Sequence, residues 1–321
     1  MKLLRCLYCY QELVEEGKDF HPSCSRKIFN KPAPPELPYS EEQMQELAEQ
    51  VIRSQVTVTG VQPKLSLDIQ KDSTARTAQR FTIVGLWGRY ILKPPTKHYA
   101  HLPEVEDLTM HLAEICSIRT VPHSLIQLSS GSLAYITKRV DRQNNGGKLH
   151  MEDMCQLTER LTEDKYHGSY EQIAKAILTY SATPGLDVVN YYEQVLFSFL
   201  TGNADMHLKN FSLLKTPELG YTLVPAYDMV ASALVNKEDK EELALTLNGK
   251  KRNITRNDFT TALRRAGITE KVQMSLFGKF EKAIAAWKKF IEMSFLPPAM
   301  QEEYKTLIRT KATQAGLEVS E

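Results

Sequence analysis

The stretch Gly202-Asn203-Ala204-Asp205-Met206-His207-Leu208-Lys209-Asn210, with Pro225-Ala226-Tyr227-Asp228 shortly after it, constrains this chain most. Upstream, Val188, Tyr192, Val195, Leu196, Phe199 and Leu200 form a broad apolar stripe at helical spacing. A helix with such a stripe is expected to be buried. Asp187 is placed to cap its start, and Gly202 to end it in the left-handed conformation. The polar stretch is then a loop delivered by the end of a buried helix. Phe211–Leu214 and Tyr221–Val224 read as short strands closed by a turn at Pro217–Gly220, which puts Asp228 just past a strand end. Two carboxylates, a carboxamide and a cation are the inventory for moving a phosphoryl group from a metal-bound nucleotide. One Asp can orient an attacking hydroxyl and accept its proton. The Asn and the second Asp can hold magnesium, and the Lys can balance charge on the transferring group.

The rest of the chain is organised around this loop. Ser40-Glu41-Glu42-Gln43 is a capping box that opens a helix to about Ser54, with Met44, Leu47, Val51 and Ile52 on one face. Val56–Gly60, Lys64–Gln70, Arg80–Val84 and Tyr90–Lys93 read as strands. After Lys93-Pro94-Pro95 the period changes, and Val105–Cys116 carries Val105, Leu108, Leu112 and Ile115 at helical spacing. Ser124–Leu128 and Leu133–Lys138 are two further strands, and Asn145-Gly146-Gly147 marks a turn. Beyond about residue 150 the chain is mostly helical, with a capping box at Ser169-Tyr170-Glu171-Gln172 and two amphipathic helices in 270–318 around Phe295-Leu296-Pro297-Pro298. The expectation is an α+β chain with two lobes: a β-rich N-lobe over 40–140 and a mainly helical C-lobe over 141–321. A bilobal kinase is built in this order.

Bulk composition excludes more than it proposes. With 321 residues, 42% of them hydrophobic, the chain can bury two sizeable cores. Its 40 Lys and Arg against 39 Asp and Glu give a net charge of +1 and no basis for nucleic-acid binding. No apolar run approaches the roughly 20 residues that span a bilayer. Met1-Lys2-Leu3-Leu4-Arg5-Cys6 meets charge too early for a signal peptide, so a cytoplasmic protein with no membrane partner is expected.

Five cysteines in a chain of this length do not make a disulfide scaffold. Cys116 and Cys155 are isolated and read as small core residues. Cys6-x-x-Cys9 and His21-x-x-Cys24 offer four soft ligands in two closely spaced pairs, the donor set of a structural zinc site. Residues 1–28 are expected as a small zinc-binding module whose folding the metal supports, joined by a proline-rich linker over 29–39. Free thiols in a degenerate remnant are the other reading.

Several segments in one order resemble the HipA/HipT family of bacterial Ser/Thr kinases, the toxins of toxin–antitoxin modules. They are 57–66 (TVTGVQPKLS), 91–94 (ILKP), 102–106 (LPEVE), 138–142 (KRVDR), 152–156 (EDMCQ), 202–212 and 225–228, within a span from about Gln55 to Ile308. The resemblance implies ATP and Mg2+ as cofactors. By it, Asp205 is the catalytic base, with Lys209 beside it, and Asn210 and Asp228 hold magnesium. Lys93 contacts the nucleotide phosphates with Glu106 as its ion-pair partner. The residues agree, since Lys93 ends a strand and Glu106 starts the next helix. Thr59, Gly60, Val61, Gln62 and Lys64 are expected to cover the phosphates. Lys138 and Val140 belong to an inter-lobe connection that touches adenine through backbone groups. His207 joins the nucleotide-contacting set, with bracing of the loop as its other reading. Thr57 and Thr59 stand where the family pattern often has Ser, so autophosphorylation there is implied, against a reading as ordinary strand residues.

The resemblance further implies a protein substrate in translation, plausibly an aminoacyl-tRNA synthetase, and growth arrest. It implies a helix-turn-helix antitoxin and a small HipS-like protein as partners. The chain has no helix-turn-helix signature, so DNA contact is expected only through the antitoxin. About 55 residues precede the glycine-containing loop, which resembles the short HipT type. Glu152-Asp153 and Thr158–Ser169 read either as contacts to a protein substrate or as a solvated acidic loop. Two rivals stand beside the toxin kinase. A small-molecule phosphotransferase needs an acidic substrate pocket, and a silent kinase-fold binding protein has no need to keep Asp205, Asn210, Asp228 and Lys93 together.

Overall fold

The structure is a computed structural model that describes residues 5–15, 17–44, 46–47, 64–71, 79–84, 88–143 and 145–318. It divides into two compact units, the first comprising Met1–Asp107, Val121–Arg139 and Met293–Phe295, the second Leu108–Thr120, Val140–Glu292 and Leu296–Glu321.

The first unit is built on a five-stranded antiparallel sheet in the order β2-β1-β3-β5-β4. The strands are β1 (Leu65–Lys71), β2 (Gln79–Ile83), β3 (Tyr90–Lys93), β4 (His123–Gln127) and β5 (Leu133–Lys138). β3 and β5 fall on the expected residues, and β1, β2 and β4 are displaced by one. In β1, Leu65 and Leu67 are buried while Ser66 and Asp68 are half-buried, the alternation of a strand with one face on the core. β5 lies between β3 and β4, and Ala134, Tyr135, Ile136 and Thr137 are all buried, so its sequence reads as a continuous run. Helix α1 (Pro22–Phe29) packs Phe29 edge-on against Phe81 of β2, and the Tyr90 hydroxyl donates to the Ile28 carbonyl at 3.2 Å. The proline-rich segment pairs with the sheet at one point, where Glu36 N–H donates to Gln79 O at 2.9 Å. The capping box at Ser40 is formed, with Gln43 N–H donating to Ser40 Oγ at 3.3 Å, and residues 41–44 and 46–47 are helical. The remainder of that helix and the expected strand Val56–Gly60 lie outside the described residues.

Helix α2 (Leu102–Ile115) starts three residues earlier than its hydrophobic period suggested, because Pro103 suits a first helical turn, where no N–H partner is needed. The boundary between the two units falls inside it, after Asp107.

The second unit follows α2 with β6 (Met151–Asp153), α3 (Met154–Leu157), α4 (Tyr170–Tyr180), α5 (Pro184–Thr201), β7 (Ser212–Thr216), β8 (Gly220–Leu223), α6 (Ser232–Val235), α7 (Arg256–Arg265), α8 (Glu270–Glu292) and α9 (Pro298–Gln314). β6, β7 and β8 form a three-stranded antiparallel sheet. β6, α6 and α7 are additions to the expected elements, although α7 opens on a Thr255–Asp258 capping box that the sequence carries. Pro297 and Pro298 separate α8 from α9 as expected, with Pro298 at the first position of α9. Cys116 and Cys155 are buried core residues.

α5 is the centre of this unit. Val188, Tyr191, Tyr192, Val195, Leu196, Phe197, Phe199 and Leu200 are all buried, and Phe197 packs edge-on against Trp287 at 5.5 Å. Asp187 is not its cap, because the helix begins at Pro184. Asp187 instead lies buried in the first turn, where Oδ2 accepts from Ser181 Oγ at 2.5 Å, from Thr183 Oγ1 at 3.2 Å and from Leu223 N at 2.9 Å. The carboxylate thus ties the helix start to β8. At the other end Gly202 is left-handed with φ 70°, and its N–H donates to Phe199 O and Ser198 O. A β-carbon there would lie 2.7 Å from Leu307 Cδ2 and 3.1 Å from Ala233 Cβ. Gly202→Ala is therefore expected to lower stability by roughly 1–2 kcal/mol from the left-handed backbone alone, with the Leu307 contact adding to it. An unchanged urea midpoint would contradict this.

Candidate active site

The loop after Gly202 folds on its own polar groups. Asn203 Oδ1 accepts from the Asp205 N–H at 3.1 Å, an Asx turn that sets the backbone direction at Asp205. The Ala204 N–H donates to Ser232 Oγ at 2.9 Å, and the Tyr170 hydroxyl donates to the Met206 carbonyl at 3.1 Å. The Asp205 carbonyl accepts from the His207 N–H at 2.8 Å and from Asn210 Nδ2 at 3.0 Å. Leu208–Asn210 close the loop as one 3-10 turn. With its amide nitrogen engaged, Asn210 is left to offer its amide oxygen.

Asp228 is brought to this loop by the residue before it. The Tyr227 hydroxyl donates to the Lys209 carbonyl at 2.9 Å and lies 2.6 Å from Ser212 Oγ. The Ala226 N–H donates to Arg119 O at 2.7 Å, which fixes the segment from the other side. Asp228 itself has φ 59°, a left-handed conformation uncommon outside glycine and best tolerated by Asp and Asn. The charges of Asp205 and Asp228 both bear on His207 and on Tyr166, so the two carboxylates share one electrostatic neighbourhood. Asp205, Lys209 and Asp228 are half-buried, and Asn210 is buried.

Two partners in this site escaped the sequence reading. The Tyr166 hydroxyl donates to Asp205 Oδ1 at 2.5 Å, and its ring meets the His207 ring edge-on at 5.0 Å. Burial, then the Asp205 charge, pushes the Tyr166 phenol well above its usual range. No local pattern links two residues so far apart in sequence. Lys209 Nζ donates to Asp153 Oδ2 at 2.6 Å. Asp153 is also the N-cap of α3 in a capping box with Gln156, and that pattern was readable as Asp-x-x-Gln. The acidic pair 152–153 is thus neither a free acidic loop nor open surface on its Asp153 side.

In the first unit, Lys93 at the end of β3 donates to Glu106 of α2, and the two side chains are 4% and 1% exposed. Lys93 Nζ also stands 5.4 Å from the Tyr135 ring centroid. Lys138 ends β5, where burial and the nearby Arg89 charge lower its ammonium from the ordinary value. Lys64 is exposed immediately before β1, and Val140 is half-buried. Thr57, Thr59, Gly60, Val61 and Gln62 lie outside the described residues.

Each unit, by itself, carries donors of a kind that magnesium or a nucleotide phosphate takes. Carboxylate and amide oxygens are the hard ligands magnesium takes, and a Lys held by a Glu is the usual counterpart of nucleotide phosphates. Cys6, Cys9, His21 and Cys24 are likewise together in the first unit. No helix among the described residues is long and apolar enough to cross a membrane.

His207 is buried and its Nδ1 has no hydrogen-bond partner among the described residues. Burial lowers its pKa to about 4, against the opposing pull of Asp205 and Asp228. Between about 4 and the ordinary 6.5 the unfolded chain therefore binds more protons than the folded one. Its contribution to stability is full above that window and is lost as pH falls through it. Urea midpoints measured across this range should fall more steeply for the wild type than for His207→Asn; parallel curves would refute the assignment.

Residues 56–287 match the family model of the HipA-like C-terminal domain. The chain is 28% identical over 228 residues to a Haemophilus influenzae protein named "Putative kinase", covering 67% of this chain and 62% of that protein. It is 26% identical over 215 residues to the "Serine/threonine-protein kinase toxin HipA" of Shewanella oneidensis, covering 61% of this chain and 47% of that one. The solved structure of Shewanella oneidensis HipA with HipB and its operator DNA superposes with a TM-score of 0.65 at 21% identity, over 84% of this chain and 70% of that one. The chain thus spans less than two thirds of the length of the curated relatives it matches. The structural likeness carries the fold, an α+β kinase-like one as the order of elements implied.

Proposed function

Because the chain belongs to the HipA-like C-terminal domain family, we propose that it is a protein Ser/Thr kinase using Mg-ATP, the toxin of a toxin–antitoxin module. The single observation that carries this reading is the loop at the end of α5. It presents Asp205 and Asn210 from a backbone fixed by its own hydrogen bonds, with Asp228 tied to it through Tyr227. A binding scaffold has no reason to keep a carboxylate in a left-handed backbone beside a second one.

In this reading Asp205 orients the acceptor hydroxyl and takes its proton through a carboxylate oxygen. Tyr166 donates to the same carboxylate, so the phenol must yield, or share the carboxylate, when an acceptor hydroxyl arrives. Asn210 and Asp228 hold the magnesium. The metal, when bound, neutralises the charge gathering on the transferred phosphoryl group. Lys93, aimed by Glu106, binds phosphate oxygens. Lys209 is held by Asp153 and neutralises it, which keeps that carboxylate from repelling the nucleotide. His207, uncharged at neutral pH, braces the loop beneath Tyr166. Lys64, Lys138 and Val140 remain proposed nucleotide contacts, together with Thr59, Gly60, Val61 and Gln62.

The substrate proposed is a hydroxyl in a translation component, of the aminoacyl-tRNA synthetase class. A helix-turn-helix antitoxin is proposed as partner, supported by the HipB and operator DNA bound to the Shewanella relative. A HipS-like protein and the short HipT type are proposed on the family resemblance. Autophosphorylation at Thr57 or Thr59 is proposed as the restraint on activity. Intact and peptide mass spectrometry after incubation with Mg-ATP should find phosphate on Thr57 or Thr59 in the wild type and none in Asp205→Ala or Asp228→Ala. Phosphate on a purified synthetase, lost in the same variants, should accompany it. Wild-type protein that binds nucleotide but transfers phosphate to neither would refute the kinase reading.

A further inference from the structure

The N-terminal module is the part of the chain that the proposed phosphoryl transfer does not use. Cys6 and Cys9 stand on a tight turn. The Cys6 N–H donates to Gln11 O at 2.8 Å and the Tyr10 N–H to Cys6 O at 2.9 Å, with Tyr10 left-handed at φ 64°. His21 and Cys24 come from the start of α1, where His21 is the N-cap. One ligand atom from each of the four residues lies within 4.8 Å of every other. Cys9 Sγ is 3.4 Å and Cys24 Sγ 3.8 Å from His21 Nδ1. The bond lengths of a tetrahedral zinc with thiolate and imidazole ligands require S···N separations of about 3.6 Å and S···S separations of about 3.8 Å.

The histidine is oriented for this. His21 Nε2 is 3.0 Å from the Glu12 carbonyl. A carbonyl only accepts, so Nε2 carries the proton and Nδ1 turns its lone pair to the sulfurs. The His21 backbone N–H also points at Cys6 Sγ from 3.4 Å, which holds that sulfur beside the imidazole. Cys6 and Cys24 are buried, while Cys9 and His21 are half-buried, leaving one side for the ion to enter.

What the turn holds is the residue after Cys9. Tyr10 is buried, meets Phe295 edge-on at 4.8 Å, and donates its hydroxyl to Asp107 Oδ2 at 2.8 Å. Asp107 Oδ1 lies 2.7 Å from His123 Nδ1. Asp107 follows Glu106, the partner of Lys93, in α2. The module is also fastened to β4, where the Leu7 carbonyl accepts from Ser124 Oγ at 3.1 Å.

We propose that Cys6, Cys9, His21 and Cys24 hold one zinc ion tetrahedrally, and that this closed structural site fixes Tyr10 against the first turns of α2, the part that carries Glu106. Four protein ligands leave the metal no open position, so its role is to fold and anchor rather than to react. On binding, the three thiols release their protons to solvent and the imidazole stays neutral.

The test uses the full chain and metal content, with no need for phosphoryl transfer, so it stands or falls apart from the kinase reading. Elemental analysis of purified protein should find one zinc per chain, lost in Cys9→Ser. Should that variant not fold, cobalt substitution of the wild type decides. An absorption spectrum of tetrahedral cobalt with thiolate ligands is expected, and a thiolate-free octahedral spectrum overturns the site. Hydrogen exchange at the amides of 102–107 should rise several-fold when zinc is stripped by chelator, and likewise in Tyr10→Phe with its zinc retained. Exchange there that does not change on stripping, or in Tyr10→Phe, overturns the coupling to α2.

Discussion

A buried helix has to end somewhere, and the end of α5 decides what the second unit can do. From Tyr191 to Thr201 every residue of α5 but Glu193 is buried, so its last carbonyls cannot turn to water. Gly202 takes the left-handed turn that returns its own N–H to Phe199 and Ser198, and the Asn203 N–H also reaches Ser198 O, at 2.8 Å. The Gly202 carbonyl in turn accepts from the Ala233 N–H at 3.0 Å. With the backbone satisfied in this way, the next residues are free to spend their side chains on each other. Asn203, Asp205 and Asn210 then build a loop closed by hydrogen bonds among its own groups.

The charged groups are held in two different ways. Lys93 and Glu106 are almost fully buried. Taking two such ions out of water costs several kcal/mol each, and only their mutual attraction and further contacts offset it. Such a pair is poor evidence of stability and better evidence that one ammonium group must stand in one place. Asp205, Lys209 and Asp228 keep part of their surface, as the roles proposed for them require. Their positions are set instead by neighbours: Tyr166 on Asp205, Asp153 on Lys209, and Tyr227 ahead of Asp228. His207 lies beneath them uncharged, which spares the loop a buried cation beside the proposed magnesium ligands.

The N-terminal module joins this scheme through Tyr10. The segment buries Leu7, Tyr10, Phe20 and Ile28, and its four soft donors gather at one point. Its contact with Asp107 lies one residue from the buried carboxylate that aims Lys93. The Lys93–Glu106 pair is thereby linked, through Asp107 and Tyr10, to the N-terminal module.

The sequence by itself determined most of the elements and their order, with β6, α6 and α7 outside that reading. β3 and β5 were legible to the residue, since β-branched and aromatic runs bounded by turn signals leave little choice. Gly202 as the end of a buried helix followed from local pattern; the pairing of Lys93 with Glu106 came from the family resemblance, with which their places at a strand end and a helix start agree. The tertiary structure decided what depends on residues far apart in the chain. Asp187 could cap a helix by its type, but Pro184 starts that helix earlier and buries Asp187 against Ser181, Thr183 and β8. Tyr166 on Asp205 and Asp153 on Lys209 join residues 39 and 56 positions apart. Periodicity carries information over a few turns of a helix or a few residues of a strand. It says nothing of which side chain packing will bring to a carboxylate, because that is fixed only when separate elements share one core.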